Sequence, residues 1–133
     1  MPESLVSIGP WLVQLFRDVF FQPDDAVSSQ AFDHGVSRDL AVRLNGQNLT
    51  FDEFRHAVED TRAKNYIYEQ SNDELLRVEA DPRAGGGSVA QLSRFTLKDK
   101  STGHETYSST VILATIEFVE GRRVLTQLTE VSK

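Results

Sequence analysis

Hydrophobic residues recur at helical spacing near the start of the chain. This period predicts an α-helix over roughly residues 9–22, with Pro10 acceptable near its start and Pro23 just past its end. Trp11 and Phe21 widen its apolar sector, so we expect the helix to lie deep in the fold and to contact more than one element. The apolar positions that set the period are Leu12, Leu15, Phe16, Val19 and Phe20.

Two shorter elements are predicted next. Asp24 and Asp25 can cap a second helix, and Gly35 offers it a left-handed end. Residues 41–44, Ala-Val-Arg-Leu, indicate a short strand. The Asn45-Gly46 pair that follows tolerates the positive φ angles of a tight turn.

A third helix has a clear start signal. Thr50 and Glu53 have the spacing of a capping box, in which each side chain bonds the other residue's backbone N–H. We expect this helix to end near Asn65, with Arg62 and Lys64 placed favourably at its negative C-terminal dipole. Its buried stripe consists of Phe51, Phe54, Ala57, Val58 and Thr61.

From Tyr66 onward the apolar residues alternate with a period of two. Four strands are predicted, over residues 66–80, 89–98, 105–119 and 123–131. The connections, including residues 81–87, are short enough for antiparallel neighbours. The order of elements therefore predicts an α+β fold, in which the helices lie on one side of a curved antiparallel sheet.

The third of these strands is apolar on both faces. One parity includes Ile112 and Ala114, and the other includes Val111 and Leu113. Three helices can cover one face of a sheet, so the second apolar face needs another partner, and a second copy of the chain is the simplest. We expect a homodimer through the outer sheet face, the alternative being a strand covered twice by its own chain and C-terminal tail.

Composition narrows the functional classes. A length of 133 residues predicts one domain over residues 1–133. With 14 Lys plus Arg against 20 Asp plus Glu and no basic block, nucleic-acid binding is not expected. The absence of cysteine removes disulfides, thiolate nucleophiles and zinc-thiolate sites. The apolar start is too interrupted for a signal peptide or a membrane span, so we expect a cytoplasmic protein without membrane contact.

The pattern of elements resembles the nuclear transport factor 2-like superfamily, including its SnoaL-like polyketide cyclase and ketosteroid isomerase branches. The resemblance covers nearly the whole chain and rests on the helix pair, on VRLNG followed by LTFDEFRHAVEDTR, and on the closing ATIEFVEGRRV. It implies a cone, in which a strongly curved sheet wraps the N-terminal helices and leaves a pocket open at one end. It also implies pairing through the outer sheet face, in agreement with the argument from the strand itself.

The isomerase branch carries three chemical groups that this sequence lacks. That branch keeps a tyrosine on the first helix, a carboxylate base on the short strand before the third helix, and a second acid on the long strand. Our alignment places Phe16, Arg43 or Leu44, and Leu113 at these positions. Phe16 cannot donate a hydrogen bond to an oxyanion, and neither Arg43 nor Leu44 takes a proton from carbon at neutral pH.

Each candidate ligand-binding residue also has an interpretation that needs no ligand. The aromatic side chains can pack without a ligand, the arginines can form outward salt bridges, and His34 can be a cation at a helix C-terminus. His56 lies four residues from both Asp52 and Asp60, which is more typical of a solvated helix face than of a metal site, and no metal or cofactor site is predicted. The candidates are Trp11, Phe16, Phe20, His34, Arg43, Tyr66, Tyr68 and Arg94.

Two functional hypotheses follow. The first is a small homodimeric pocket protein that binds an apolar or aromatic small molecule, as a cyclase, isomerase or dehydratase acting without a cofactor. The second is a non-catalytic protein-binding or dimerisation module of the transport-adaptor type, whose pocket is filled by its own side chains. An open cavity that contains a carboxylate or histidine with a raised pKa favours the first, and a filled cavity favours the second.

Overall fold

The computed structural model describes residues 7–81 and 85–133, and within these ranges the chain forms three helices and six strands. The predicted α+β class is therefore confirmed. The helices are α1 (Ile8–Phe20), α2 (Asp25–Gly35) and α3 (Phe51–Lys64). The strands are β1 (Val36–Leu44), β2 (Gln47–Leu49), β3 (Asn65–Asp81), β4 (Gly86–Asp99), β5 (Glu105–Val119) and β6 (Arg122–Ser132).

The described strands form one sheet in the order β2-β1-β6-β5-β4-β3. Strands β3 to β6 are an antiparallel meander, as the sequence predicts, whereas β1 pairs parallel with β6 and antiparallel with β2. Of the predicted connection over residues 81–87, residues 82–84 lie outside the described part of the chain. The parallel pairing places the last strand in the middle of the sheet.

Two strand predictions need correction. Strand β1 begins at Val36 rather than at residue 41, because an irregularity in its pairing with β6 between Val36 and Ala41 interrupts the alternation. Strand β2 has no hydrophobic alternation in its three residues and forms because the Asn45-Gly46 turn folds it onto β1. Both turn residues have positive φ, 47° for Asn45 and 84° for Gly46.

Helix α1 supplies much of the core. Ile8 and Leu12 are fully buried, and the helix contacts β3 and β4 as well as the other two helices. Trp11 and Phe21 lie at the edge of the core, partly buried against it, so the wide apolar sector does contact several elements. No helix in the described ranges is long and apolar enough to span a membrane.

Arg62 joins α3 to the end of α1. Its guanidinium donates to the carbonyl oxygens of Val19 and Gln22, at 3.0 and 2.9 Å, and to the carboxylate of Asp25. Arg62 does lie in the last turn of α3, where a cation is predicted, and its guanidinium in addition binds the chain beyond this helix. The side chain is only 8% exposed, because it satisfies carbonyl groups that the end of α1 leaves without helical partners.

The two faces of β5 have different environments. Ile112, Ala114 and Ile116 face the helices and are buried. Val111 and Leu113 face the other way and are 38% and 51% exposed. We call the side that contacts the helices the inner face and the other side the outer face. The helices cover the inner face alone, so the outer apolar residues have no cover within the described chain.

Candidate functional site

A cavity of about 250 Å³ lies between α1, α3 and the inner face of the sheet, and we call it the main cavity. Most of its wall is apolar, and Glu130 is the one charged side chain among the described residues that line it. The lining residues are Phe16, Phe20, Phe21, Leu44, Phe54, Ala57, Val58, Thr61, Ile67, Ser93, Phe95, Leu97, Ser108, Thr110, Ile112, Glu130 and Ser132.

Aromatic rings form one side of the main cavity. Phe16 and Phe20 are one helical turn apart on α1, and their ring centroids are 5.9 Å apart. Phe21 continues the row, 6.2 Å from Phe20 and 5.9 Å from Phe95 on β4. Tilted rings at these separations pack favourably with one another and offer an apolar surface to a ligand.

The polar part of the lining comes mainly from β5 and β6. Glu130 pairs with Ile112, and Ser132 pairs with Thr110, which places these side chains on the inner face. The hydroxyls of Thr110 and Ser132 are 2.8 Å apart, and Ser108 lies 3.5 Å from Ser132. Hydroxyl groups both donate and accept hydrogen bonds, so this end can orient a polar group on a ligand.

Glu130 is the titratable group of the main cavity. Burial of the carboxyl raises the pKa of Glu130 from 4.5 to about 7. Desolvation alone causes the rise, since neither a hydrogen bond nor an ion pair to this carboxyl is found among the described residues. The residue is only partly buried, so a molecule in the cavity can reach it. An acid with this pKa can either donate or accept a proton at neutral pH.

Glu130 is not among the candidate residues predicted from the sequence. The signal for it was its parity in the last strand, where Leu128, Glu130 and Ser132 share one face and Leu128 is buried. That parity becomes informative once Leu128 is assigned to the core. An acidic residue on a core-facing parity is a candidate for a perturbed pKa.

Phe16 and Phe20 are the two predicted site residues in the lining of the main cavity. Trp11 lies elsewhere, half-buried at the edge of the core. Tyr66 and Tyr68 are each 47% exposed and alternate along β3 with Ile67, which does line the cavity. Period-two alternation therefore directs both tyrosines away from it.

The charged candidates are also outside the main cavity. Arg43 is exposed on β1, next to Leu44, whose side chain lines the cavity. The side chain of Arg94 is 53% exposed and lies 3.8 Å from Asp73. It therefore forms the outward salt bridge that was predicted as the alternative to ligand binding. His34 is exposed in the last turn of α2, where a cation suits the helix dipole.

The remaining histidines lie at the surface. His56 and its neighbours Asp52 and Asp60 are all exposed on α3, and His104 is exposed beyond β4. Within the described ranges no group of three or more histidine, aspartate or glutamate residues has the arrangement of a metal site.

The isomerase groups have no counterpart at the aligned positions. Phe16 and Leu44 line the main cavity, but Leu113 lies on the outer face and is 51% exposed. The alignment on β5 is therefore one residue out of phase with the inner face. Its inner neighbours Ile112 and Ala114 are also apolar, so correcting the phase restores no acid.

Several solved structures are similar to this chain over nearly its full length. A conserved protein from Planctomyces limnophilus has a TM-score of 0.75 and 14% identity, covering 95% of this chain and 94% of its own. A ketosteroid isomerase-like protein from Erwinia carotovora atroseptica has a TM-score of 0.68 and 12% identity, covering 94% and 93%.

A third similar structure is an NTF2-like protein of unknown function from an Exiguobacterium species. It has a TM-score of 0.65 and 16% identity, covering 91% of this chain and 97% of its own. No family model matches the chain, and no curated protein matches it in sequence. The chain therefore has the nuclear transport factor 2-like fold, shared with ketosteroid isomerase-like proteins, that the sequence resemblance predicts.

Proposed function

We propose that this chain binds an apolar or aromatic small molecule in the main cavity and that Glu130 exchanges a proton with it. The observation that supports this most directly is the carboxyl of Glu130, the one charged group among the described residues of the cavity wall, with its pKa raised to about 7. Such a group can take a proton from carbon or oxygen and return it without a cofactor. The reaction class is that of a cofactor-independent isomerase, dehydratase or cyclase.

The size of the main cavity limits the ligand. Its volume of about 250 Å³ lies just below the usual range for small-molecule pockets, roughly 300–1,000 Å³. A molecule of one or two rings fits this space. Its apolar part would contact Phe16, Phe20 and Phe95, while a carbonyl or hydroxyl would reach Glu130 and the hydroxyl of Thr110.

The rival hypothesis of a non-catalytic module required a cavity filled by its own side chains. The main cavity is open, although it lacks the tyrosines, histidine and arginines expected from the sequence. If side chains filled the cavity, the carboxyl of Glu130 would be buried without a partner, which would lower the stability of the chain. The open cavity and its carboxyl favour the small-molecule pocket protein over the non-catalytic protein-binding module.

Proton abstraction next to a carbonyl gives a direct test with a probe of suitable size. In deuterated buffer, 2-indanone exchanges its α-hydrogens for deuterium, and NMR follows the loss of the proton signal. We expect the wild-type chain to accelerate this exchange and Glu130→Gln to remove at least about 90% of the acceleration, since a positioned base contributes about 10²–10⁴-fold. The control is Glu117→Gln, which removes an exposed carboxyl from β5 and should leave the rate unchanged.

Equal rates for the wild type and Glu130→Gln would refute the role of Glu130. Binding is measured separately from the probe's own ligand-observed NMR signals. A variant that still binds 2-indanone but does not accelerate exchange would support both parts of the proposal. Absence of binding by both proteins at millimolar probe would argue against a pocket for aromatic ketones.

We also propose that the chain forms a homodimer through the outer face of its sheet. Pairing of the strands places Leu92, Val111 and Val131 in one row across β4, β5 and β6, and Leu76 and Leu113 in the row beside it. Four of these side chains are strongly exposed, from 38% for Val111 to 68% for Leu76. A contiguous apolar patch of this kind is typical of an interface.

The border of the apolar patch is also consistent with a second copy of the chain as the partner. Arg94 and Asp73 form an ion pair at one border, which gives the apolar centre a polar rim. A two-fold axis through the patch would bring Leu113 close to its own copy, since such an interface is formed by the same surface on both chains. Sedimentation equilibrium should therefore give twice the monomer mass for the wild type.

Leu113→Glu should convert the dimer to a monomer, because it places two like charges in the centre of the interface. The matched control is Val27→Glu, which adds the same charge at a 38% exposed position on α2. The control should stay dimeric. A monomeric wild type, or equal dissociation of both variants, would contradict the proposed interface.

A further inference from the structure

A second depression lies on the inner face, between the first half of α1 and strands β3 and β4. We call it the amide groove, because Asn72 on β3 and Gln91 on β4 contribute carboxamides to its lining. Its volume is about 410 Å³, and it is more open than the main cavity. The two depressions share none of their described lining residues, so the amide groove is a separate feature.

Three carboxamides line the groove, and two of them, Asn72 and Gln91, have buried hydrogen-bonding atoms without a partner among the described residues, whereas Gln14 is exposed and donates to Asp18. Gln91 is fully buried, and its Nε2 donates to the carbonyl of Gly9 at 3.3 Å. Its Oε1 is buried and has no partner among the described residues, nor do Nδ2 and Oδ1 of Asn72. Because a carbonyl can only accept, the bond to Gly9 also fixes which end of the Gln91 amide is the nitrogen.

Unpaired atoms of this kind are costly and uncommon. Buried polar atoms are almost always hydrogen-bonded, and leaving one unpaired lowers the stability of the folded chain. Methionine or leucine would fill these two positions without that cost. The amides therefore indicate a partner that comes from outside the chain.

The pairing of the strands makes Asn72 and Gln91 diagonal neighbours on one face of the sheet. Asn72 is directly opposite Ser93, and Gln91 lies two residues before Ser93 on the same face. Diagonal neighbours of this type are about 7–8 Å apart in an antiparallel sheet. The unpaired atoms are closed to solvent, so one small planar group contacts both amides when these two side chains move apart.

The charges around the groove are already paired. Arg17 lines the groove and lies 3.0 Å from Glu69. Glu74 also lines it and lies 3.6 Å from Arg77. A charged ligand would have to break one of these pairs or remain unpaired, whereas an uncharged ligand does neither.

We propose that the amide groove is a second binding site, which takes an uncharged carboxamide group. The unused atoms are two acceptors, Gln91 Oε1 and Asn72 Oδ1, and one donor group, Asn72 Nδ2. A primary carboxamide offers two N–H donors and one carbonyl acceptor, which complements this set in number and kind. This site is independent of the proton chemistry proposed for Glu130.

The test is a titration followed by the side-chain NH₂ signals of Asn72 and Gln91 in nitrogen-15 NMR spectra. Three probes of similar size are compared: acetamide, N,N-dimethylacetamide, which has no N–H donor, and acetate, which is charged. Acetamide should shift both signals along a saturable curve. Dimethylacetamide should bind at least about tenfold more weakly than acetamide, since it cannot donate two hydrogen bonds. Acetate should give no saturable shift.

Variants separate a ligand site from a structural water site. Gln91→Met and Asn72→Leu should each abolish the acetamide response at the remaining amide while leaving the melting temperature unchanged or higher. Gln127→Met, the same change at an exposed position on β6, and Glu130→Gln should both leave the acetamide titration intact. Survival of the titration in Glu130→Gln keeps this test separate from that of the main cavity.

Two outcomes would overturn the proposal. Three probes that shift the amide signals equally and without saturation would show no recognition of a carboxamide. A lowered melting temperature for Gln91→Met, together with ordered water on both amides in a crystal soaked with acetamide, would show that the groove holds water only.

Discussion

Replacing Glu130 by glutamine should remove a pH-dependent loss of stability. Because burial raises the pKa of Glu130 from 4.5 to about 7, the folded chain binds more protons than the unfolded chain between these values. The free energy of unfolding therefore falls as pH rises through this window. The stability linked to this group is fully present below about pH 4.5 and is lost above about pH 7.

The size of the effect follows from the rise in pKa. A change from 4.5 to about 7 corresponds to roughly 3 kcal/mol, at about 1.4 kcal/mol for each pH unit. We take this as an upper value, because the residue is only partly buried and water that enters the main cavity solvates the ionised carboxyl. Glutamine does not ionise, so Glu130→Gln should gain stability relative to the wild type as pH rises.

Urea unfolding across the range from about pH 4 to about pH 8 measures this difference. The free energies of Glu130→Gln and the wild type should diverge by about 2–3 kcal/mol between the ends of the range. Glu117→Gln removes an exposed carboxyl and should run parallel to the wild type. Parallel curves for Glu130→Gln as well would mean that the carboxyl is not held in an apolar environment, and the proposed proton chemistry would lose its basis.

Three further substitutions test the packing, anchoring and capping of α3 by urea unfolding. Phe54→Ala should lose about 3–5 kcal/mol, since Phe54 is 4% exposed, and a loss below about 1 kcal/mol would mean that α3 is not packed as described. Arg62→Met should lose about 1–3 kcal/mol, because the carbonyl of Gln22 loses its Arg62 donor while that of Val19 keeps its bond from the Ser28 hydroxyl, and stability equal to the wild type would contradict that role. Thr50→Ala should lose about 1 kcal/mol with its capping box, and no loss would show that the cap is dispensable.

Local signals predicted much of the fold. The capping box of Thr50 and Glu53 is present with both of its hydrogen bonds, and α3 starts at the next residue, Phe51. The Asn45-Gly46 turn has the positive φ angles expected of it. Features that depend on distant partners were missed, since the start of β1 and its parallel pairing with β6 join residues about 90 positions apart. A local pattern contains no information about such a partner.

The sequence predicted only part of the lining of the main cavity, because some lining residues depend on how distant strands pair. Phe16 and Phe20 were found because helical periodicity places them on the apolar face of α1. Tyr66 and Tyr68 were chosen for their chemistry, but the parity of β3 directs Ile67 inward instead. Glu130 was missed because the inner parity of β6 becomes evident only when its register with β5 is known.

That register also relates Glu130 to the two acids that the isomerase branch carries and this chain lacks. Glu130 pairs with Leu44 on one side and with Ile112 on the other, so it lies between the short strand and the long strand where that branch places its carboxylates. Both flanking positions are apolar here, which is why the pKa of Glu130 responds to desolvation alone. Two acids can divide the roles of base and hydrogen-bond donor between them. A single acid with a pKa near neutrality has to fill both roles in turn, so the proposed proton transfer should depend on one ionisation and its pH profile should contain one main transition.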